Sequence, residues 1–396
     1  MATADPIPDI NRPSPRTGYA LVVLLPPLPQ EQLENILPRL AAAFPPQDLL
    51  IASQNGIAGE TYPNLQIISA PATNIAWALT AADFISAYQI AQKHEARAIL
   101  MLGPDCGSLG TTALRNLGAA VLSASADLAL PHYDLPPTAG LVNSAILYPL
   151  TRALFATRAR FPLAIDLGLS LRMAERLSMA GQRFTALNQN DALIWSIAEA
   201  VVAGFTIDEF DVGTRTVPQP ADPDIRSILA LVTGSLFADI ESKAAFWQRP
   251  RRLAPGRPPM PRHPHVDGGS DLASMIDGFR LAYSNLQEIW SLVLPPNSLL
   301  GLKRLSAVDA ASFRMPENLW ARIVYDFLIA FRMRTINRGH LMGALIPLYL
   351  AWVAGHINVT ASGFDSERHI EAVAAAFDAD KPYLVSRWRW PDRFNP

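Results

Sequence analysis

The chain has 396 residues, half of them hydrophobic and 17% charged, and its formal net charge is −2. This length favours one large domain and one smaller one, and the apolar content is typical of a compact protein rather than a disordered one. A charge this close to zero provides no broad electropositive field for a phosphate backbone, which argues against nucleic acid as a partner. The single cysteine, Cys106, excludes an intrachain disulfide and a cysteine-based zinc cluster.

The first 17 residues are rich in proline and lack the charged start and apolar core of a signal peptide. We expect them to form a loose tail. Together with the low cysteine content, which fits a reducing compartment, they favour a cytoplasmic protein. The most apolar late stretch, residues 341–357, is shorter than about 20 residues and contains Pro347. It predicts a buried helix and no membrane span.

Short β-rich runs alternate with helical patterns in the first part of the chain. The predicted strands are 19–25, 49–52, 65–69 and 98–102, and the helical segments between them are 30–44 and 75–93. Helices of this length provide the crossover connections that parallel strands require. The pattern therefore predicts an α/β fold with a Rossmann-like, mostly parallel open sheet.

Ligands of such sheets bind beyond the carboxyl ends of the strands, so the turn-rich loops 52–59 and 103–110 are the predicted binding loops. The first strand runs into Pro26 and Pro27, and neither a GxGxxG motif nor a P-loop follows it. A dinucleotide cofactor and an NTPase site therefore have no support in the sequence.

A change of composition marks the predicted domain boundary. Residues 249–269 are rich in proline, arginine and glycine and predict a linker between a domain at 18–248 and a second domain at 270–396. The linker arginines either solvate an exposed connector or hold phosphate. Beyond the linker, apolar residues from Trp320 to Phe331 recur at the spacing of one helix face, which predicts an all-helical second domain.

Two segments, YPLTRAL at 148–154 and PLAIDLGLS at 162–170, resemble signatures of family-2-like GT-A glycosyltransferases related to the mannosylglycerate and glucosyl-3-phosphoglycerate synthases. The segments GTRTV at 213–217 and VTGSLF at 232–237 are similar to further positions of that family. The resemblance covers most of the chain and is weakest over 18–95. It implies a GT-A nucleotide-sugar domain followed by a smaller helical domain.

The resemblance also implies a Mg²⁺ or Mn²⁺ ion, held by an acidic D-x-D motif after a strand. The corresponding segment here, GPDCGS at 103–108, retains only the second carboxylate, so Asp105 is the predicted metal and cofactor ligand. The histidine ligand of the family aligns with Val217, and its phosphate-binding lysine element falls near 79–81, which has no lysine. The ligand set is therefore incomplete.

Two further residues are candidates for binding the nucleotide. Asn55, in the turn after the second predicted strand, either binds the nucleoside or belongs to a plain tight turn. Arg152 either binds a phosphate or an acceptor carboxylate, or pairs with a neighbouring acid.

The candidate catalytic residues are Asp166 and Asp191. The resemblance places Asp166 in the acceptor loop, where a carboxylate binds hydroxyl groups or acts as a general base; the alternative is that it caps the helix that follows. Asp191, one turn before Trp195, has a weaker claim to the same role. Tyr148 and Trp195 are either sugar platforms or core residues.

Two hypotheses follow. In the first, the chain transfers a hexosyl group from UDP- or GDP-hexose to a small polar, glycerate-like acceptor. In the second, the chain is a catalytically degenerate relative that serves as a binding or partner subunit, because the metal and phosphate contacts are depleted. The sequence leaves the oligomeric state open, including a homo-oligomer.

Overall fold

The computed structural model describes residues 18–55, 62, 64–71, 77–215, 225–255 and 271–391. The predicted tail at 1–17, most of the predicted linker and Val217 lie outside the described residues.

Seven strands form one sheet in the order β3-β2-β1-β4-β6-β5-β7. They are β1 (Leu21–Leu25), β2 (Leu49–Ser53), β3 (Gln66–Ser69), β4 (Ala98–Met101), β5 (Leu128–Asp134), β6 (Leu167–Ser170) and β7 (Ile207–Thr214). All neighbouring strands are parallel except β6, which runs antiparallel to β4 and β5. The predicted α/β fold with a mostly parallel open sheet is confirmed, and β1 to β4 coincide with the predicted runs to within two residues.

Helices cover both faces of this sheet, which is why every residue of β2 and β4 is buried and all of them except Ser53 are apolar. The helices are α1 (Gln30–Ala43), α2 (Ala81–Lys93), α3 (Thr111–Leu122), α5 (Leu171–Thr185) and α6 (Ser196–Ala203). Helix α2 begins where Thr80 and Asp83 form a reciprocal capping box.

The remaining helices form a second region, which confirms the predicted helical part of the chain. They are α4 (Tyr148–Phe155), α7 (Ile225–Ser242), α8 (Ala244–Trp247), α9 (Leu272–Asn285), α10 (Gln287–Val293), α11 (Pro296–Ser306), α12 (Glu317–Met333), α13 (Arg338–Ala361) and α14 (Ser366–Arg389). The predicted apolar stripe of α12, from Trp320 to Phe331, is buried. Pro316 lies at the N-cap of this helix, one position before its first turn.

The hydrophobic core of the helical region also includes residues that precede the predicted boundary at 248. Leu150 and Phe155 of α4, Leu236 and Phe237 of α7, and Trp247 of α8 pack in one cluster with the C-terminal helices. The two cores are therefore interleaved along the chain, with α4 and α6 inserted between strands of the sheet.

Helix α13 contains the stretch that the sequence predicted to be a buried helix. By length and composition this helix is apolar enough to cross a membrane, but 67% of its apolar window is buried inside the protein. It continues through Pro347 and packs against α7, α9 and α12. Helix α13 is therefore packed as the core helix of the second region.

Candidate functional site

Three charged residues from distant parts of the chain meet at one edge of the sheet. Asp105 follows β4, Arg215 follows β7, and Asp166 precedes β6. Because β6 runs antiparallel to its neighbours, its first residue lies at the same edge as the carboxyl ends of the parallel strands. This edge is where open α/β sheets bind their ligands.

The Asp166 carboxylate is completely buried and accepts hydrogen bonds from three groups of the protein. The Gly103 backbone N–H donates to Oδ1 and the Tyr133 hydroxyl donates to Oδ2, both at 2.9 Å. Arg215 Nη2 lies 2.8 Å from both oxygens, and its Nε lies 3.2 Å from Oδ2. Such a buried charge requires this degree of pairing. Both oxygens of Asp166 are therefore engaged by the protein itself.

Asp166 does not cap the following helix. The cap of α5 is Ser170, whose hydroxyl accepts the backbone N–H of Met173 at 3.3 Å. The capping alternative that the sequence left open for Asp166 is therefore wrong.

The other end of the Arg215 guanidinium contacts the loop after β4. Its Nη1 donates to the backbone oxygen of Asp105 and to Ser108 Oγ, the latter at 3.0 Å, and lies 3.4 Å from Asp105 Oδ2. The Arg215 side chain is 1% exposed, whereas that of Asp105 is 29% exposed. One guanidinium thus joins two carboxylates, and the three groups together carry one negative charge.

The surroundings keep Arg215, Tyr133 and Cys106 in defined protonation states. Burial alone would lower the pKa of Arg215, but Asp166 and Tyr133 beside it raise that pKa, so the guanidinium stays charged. Burial, assisted by the Asp166 charge, raises the pKa of Tyr133 well above its usual value, so the hydroxyl remains a donor. Burial and then Asp166 raise the pKa of Cys106 to about 12, which leaves its thiol protonated at neutral pH.

A cleft opens beside this cluster at the carboxyl ends of β1, β2 and β4. Its walls include Pro26, Gln54, Asp83, Ser86, Pro104 and Ile165. The cleft encloses about 540 Å³, including space open to solvent.

The nucleotide-binding candidate Asn55 follows Gln54 of the cleft wall, and its side-chain amide bonds to the chain after β1. It donates to the backbone oxygen of Leu28 at 2.7 Å and accepts the Leu28 N–H at 2.8 Å. The side chain thus fastens the loop after β1 to the loop after β2, as expected of a residue with a structural role in a turn.

The second catalytic candidate, Asp191, is exposed in the loop between α5 and α6. That loop docks on the start of α2, where the Ala81 N–H donates to the Ala192 oxygen at 2.9 Å. The negative charge of Asp191 adds to burial in raising the pKa of Asp83, which lines the cleft. Trp195 is a core residue, and its indole N–H donates to Ser235 at 3.1 Å.

Arg152 is a residue of α4 whose side chain contacts α14. Its Nε donates to Asp378 at 2.9 Å, and its Nη1 donates to Glu371 and, at 3.3 Å, to the hydroxyl of the buried Tyr148. These contacts match the alternative in which Arg152 pairs with neighbouring acids. They join α4 to α14 within the helical region.

The donor set at this edge does not fit the Mg²⁺ or Mn²⁺ ion that the resemblance implies. Within the described ranges, no three His, Cys, Asp or Glu side chains are grouped as ligands. Both oxygens of Asp166 accept N–H and O–H donors, and a permanently charged guanidinium lies between the two carboxylates. A divalent ion prefers about six oxygen ligands, so this arrangement supplies too few.

Sequence reasoning placed Asp105 and Asp166 at this edge but treated Arg215 only as part of the GTRTV segment. The available signal was the position of Arg215 directly after a strand, which places it at the binding edge. Tyr133 carried no signal that distinguishes it from other aromatic residues in strands.

No family model and no curated protein matches the chain. Among solved structures, it is similar to glucosyl-3-phosphoglycerate synthase from Mycobacterium tuberculosis in complex with phosphoglyceric acid, with 11% identity over 56% of this chain and 79% of that chain and a TM-score of 0.35. A mycobacterial protein shows 12% identity over 56% and 74% of the two chains, with a TM-score of 0.33. Mannose-1-phosphate geranyltransferase from Thermus thermophilus shows 18% identity over 50% and 75%, with a TM-score of 0.25.

Proposed function

We propose that the chain is a glycosyltransferase that moves a hexosyl group from UDP- or GDP-hexose to a small polar, glycerate-like acceptor. One observation carries this proposal. The segments 103–108 and 162–170, together with the start of 213–217, resemble separate parts of one enzyme family, and they meet through Asp105, Asp166 and Arg215. Arg215 and Asp166 are 49 residues apart in sequence. Their convergence beside a cleft, at the edge where open α/β sheets bind ligands, supports a shared site.

Hexosyl transfer breaks the bond between the sugar and the diphosphate, and negative charge grows on the leaving nucleotide. Groups held in advance at that position stabilise the charge without reorganisation. In the proposed site, the Arg215 guanidinium supplies a fixed positive charge, and Asp166 positions it. Asp105, whose carboxylate is the more exposed of the two, is the residue proposed to meet substrate.

A transfer assay with radiolabelled UDP-glucose and GDP-mannose, using glycerate and 3-phosphoglycerate as acceptors, tests this proposal. We expect label transfer by the full chain and a loss of about 10²-fold or more in Asp105→Asn, because Asp105 is the residue proposed to position the substrate. Asp277→Asn is the matched control, because Asp277 is 73% exposed on α9 and pairs only with Arg280 among the described residues. Absence of transfer with every donor and acceptor pair would contradict the proposal.

The second candidate is a binding or partner subunit without turnover. It is favoured by the engagement of both Asp166 oxygens, because a general base needs an oxygen free to accept the proton of the acceptor. Calorimetry distinguishes the two candidates. Binding of a nucleotide sugar without turnover supports the binding or partner subunit. Absence of both binding and turnover shows that a nucleotide sugar is not the ligand in either candidate function.

A further inference from the structure

We infer that the guanidinium of Arg215 occupies the place of a divalent cation between Asp105 and Asp166, so that this site binds a nucleoside diphosphate without metal. The identity of the ligand rests on the proposed function. The substitution of the cation itself is a separate property of the side chains, and it can be tested without any nucleotide.

The two carboxylates are arranged around one guanidinium. Arg215 Nη2 lies 2.8 Å from each oxygen of Asp166, and Nη1 lies 3.4 Å from Asp105 Oδ2. The Arg215 side chain is 1% exposed and Asp166 is fully buried, so water cannot screen their charges. Two carboxylates brought together in this way repel each other unless a cation lies between them.

The guanidinium and a metal ion exclude each other from this position. Arginine cannot be deprotonated in a protein, and the neighbouring Asp166 raises its pKa further after burial has lowered it. A metal ion between the carboxylates would have to displace Arg215 and leave a buried, unpaired charge, which is strongly unfavourable. The fixed guanidinium is therefore the stable occupant.

For a diphosphate to bind, one end of the Arg215 guanidinium has to become accessible. Nη1 of Arg215 is the end that faces Ser108 and the Asp105 loop, and Asp105 is the partly exposed member of the cluster. Movement of the loop after β4, which carries the Asp105 and Ser108 acceptors, would expose this end of the guanidinium. Arginine binds phosphate oxygens through paired N–H donors, so the end of the guanidinium exposed in this way would bind an incoming diphosphate.

The paramagnetic resonance signal of free Mn²⁺ measures how much of the ion the full chain binds. This measurement tests directly whether Arg215 takes the place of the cation. We expect the wild-type chain to leave this signal unchanged and Arg215→Ala to reduce it, because the variant exposes two carboxylates that lack their cation. Arg215→Lys is the matched control: it keeps the charge and is expected not to bind Mn²⁺. Adding Asp166→Asn to Arg215→Ala removes one ligand and is expected to weaken Mn²⁺ binding at least about tenfold.

Binding of Mn²⁺ by the wild-type chain overturns the inference, and so does a folded Arg215→Ala variant that does not bind the ion. If Arg215→Ala does not fold alone, Mn²⁺ is expected to restore its thermal unfolding transition, and failure to do so also overturns the inference.

Calorimetry of UDP and GDP binding to the wild-type chain, in EDTA and in Mn²⁺, tests the metal-free binding. We expect equal affinities in the two conditions, and an increase of affinity in Mn²⁺ overturns the metal-free part. Absence of nucleotide binding in both conditions defeats the proposed ligand, while the Mn²⁺ experiment still decides what occupies the place of the cation.

Discussion

Individual residues at the binding edge have contacts that determine how each would respond to substitution. Asp166 is fully buried and pairs with Arg215, whereas the Asp105 side chain is 29% exposed. Removal of the charge at Asp166 leaves a buried guanidinium without its bidentate partner, and the same change at Asp105 is relieved by solvent. The two carboxylates therefore differ in their expected contributions to stability.

We expect Asp166→Asn to lower the free energy of unfolding by about 3–5 kcal/mol, the usual consequence of breaking a buried ion pair. Asp105→Asn is expected to lower it by less than about 1 kcal/mol, as for a partly exposed pair. Urea denaturation of both variants at neutral pH provides the measurement. Equal losses in the two variants would show that Asp166 is not the buried anchor of Arg215.

Gly168 is a second residue at which a small change has a large expected effect. A Cβ atom at this position in β6 would lie 2.5 Å from the backbone oxygen of Leu117 and 3.0 Å from Ala129 Cβ. Backbone atoms of α3 cannot rotate away, so Gly168→Ala is expected to destabilise the protein by about 1–3 kcal/mol.

The same substitution at Gly343 of α13 is the matched control, because a Cβ atom there would meet no atom within 4 Å. Alanine in a helix interior is expected to raise the free energy of unfolding by about 1 kcal/mol. Denaturant unfolding compares the two variants, and a loss at Gly343 as large as at Gly168 would rule out close packing as the cause.

Among the elements, α13 and α14 are joined by a buried histidine pair. His356 Nδ1 lies 2.8 Å from His369 Nδ1, and His356 Nε2 lies 3.2 Å from the Pro137 oxygen. Burial, followed by the charge of His369, lowers the pKa of His356 from 6.5 to about 4. His356 is therefore neutral in the folded state at pH values at which an unfolded histidine takes up a proton.

This difference predicts a pH-dependent loss of stability. As the pH falls from 6.5 towards 4, the unfolded state binds the proton and the folded state does not, so the free energy of unfolding decreases. The loss is about 3 kcal/mol over this range, at 1.36 kcal/mol per pKa unit. Urea denaturation at a series of pH values measures the slope.

His356→Gln is expected to reduce this slope, whereas His340→Gln at the exposed start of α13 is expected to leave it unchanged. An equal slope in wild type and His356→Gln would show that other groups cause the pH dependence.

In the whole molecule, the two hydrophobic cores share stretches of the chain. Residues of α4 and α7, which precede position 248, belong to the core of the C-terminal helices, and α14 returns to α4 through Arg152. Large side chains such as Phe237 and Trp247 are fully buried by this packing. Their burial depends on helices that follow the predicted linker.

We therefore expect residues 1–248, produced alone, to lack a stable fold. Removal of the later helices exposes Phe237, Trp247 and other apolar side chains of α7 and α8, and burial of such side chains contributes about 1.5–3 kcal/mol each. A two-dimensional amide spectrum is expected to show poor dispersion for this fragment and good dispersion for residues 1–391. A well-dispersed, native-like spectrum of the fragment would show that the sheet region folds independently.

The amino-acid sequence by itself determined the elements whose signals are local. Strands β1 to β4, the apolar stripe of α12 and the buried character of α13 follow from the spacing of apolar residues within a few turns of chain. The sequence also placed Asp105 after a buried strand, at the edge where open α/β sheets bind ligands.

Only the tertiary structure decided which charged groups are partners. Arg215 pairs with Asp166 across 49 residues, and Arg152 pairs with Glu371 across 219. The assignment of α4 and α7 to the helical core depends equally on distant contacts. Periodicity and local motifs contain no information on such pairings, because they arise from the packing of strands and helices that are far apart in the chain.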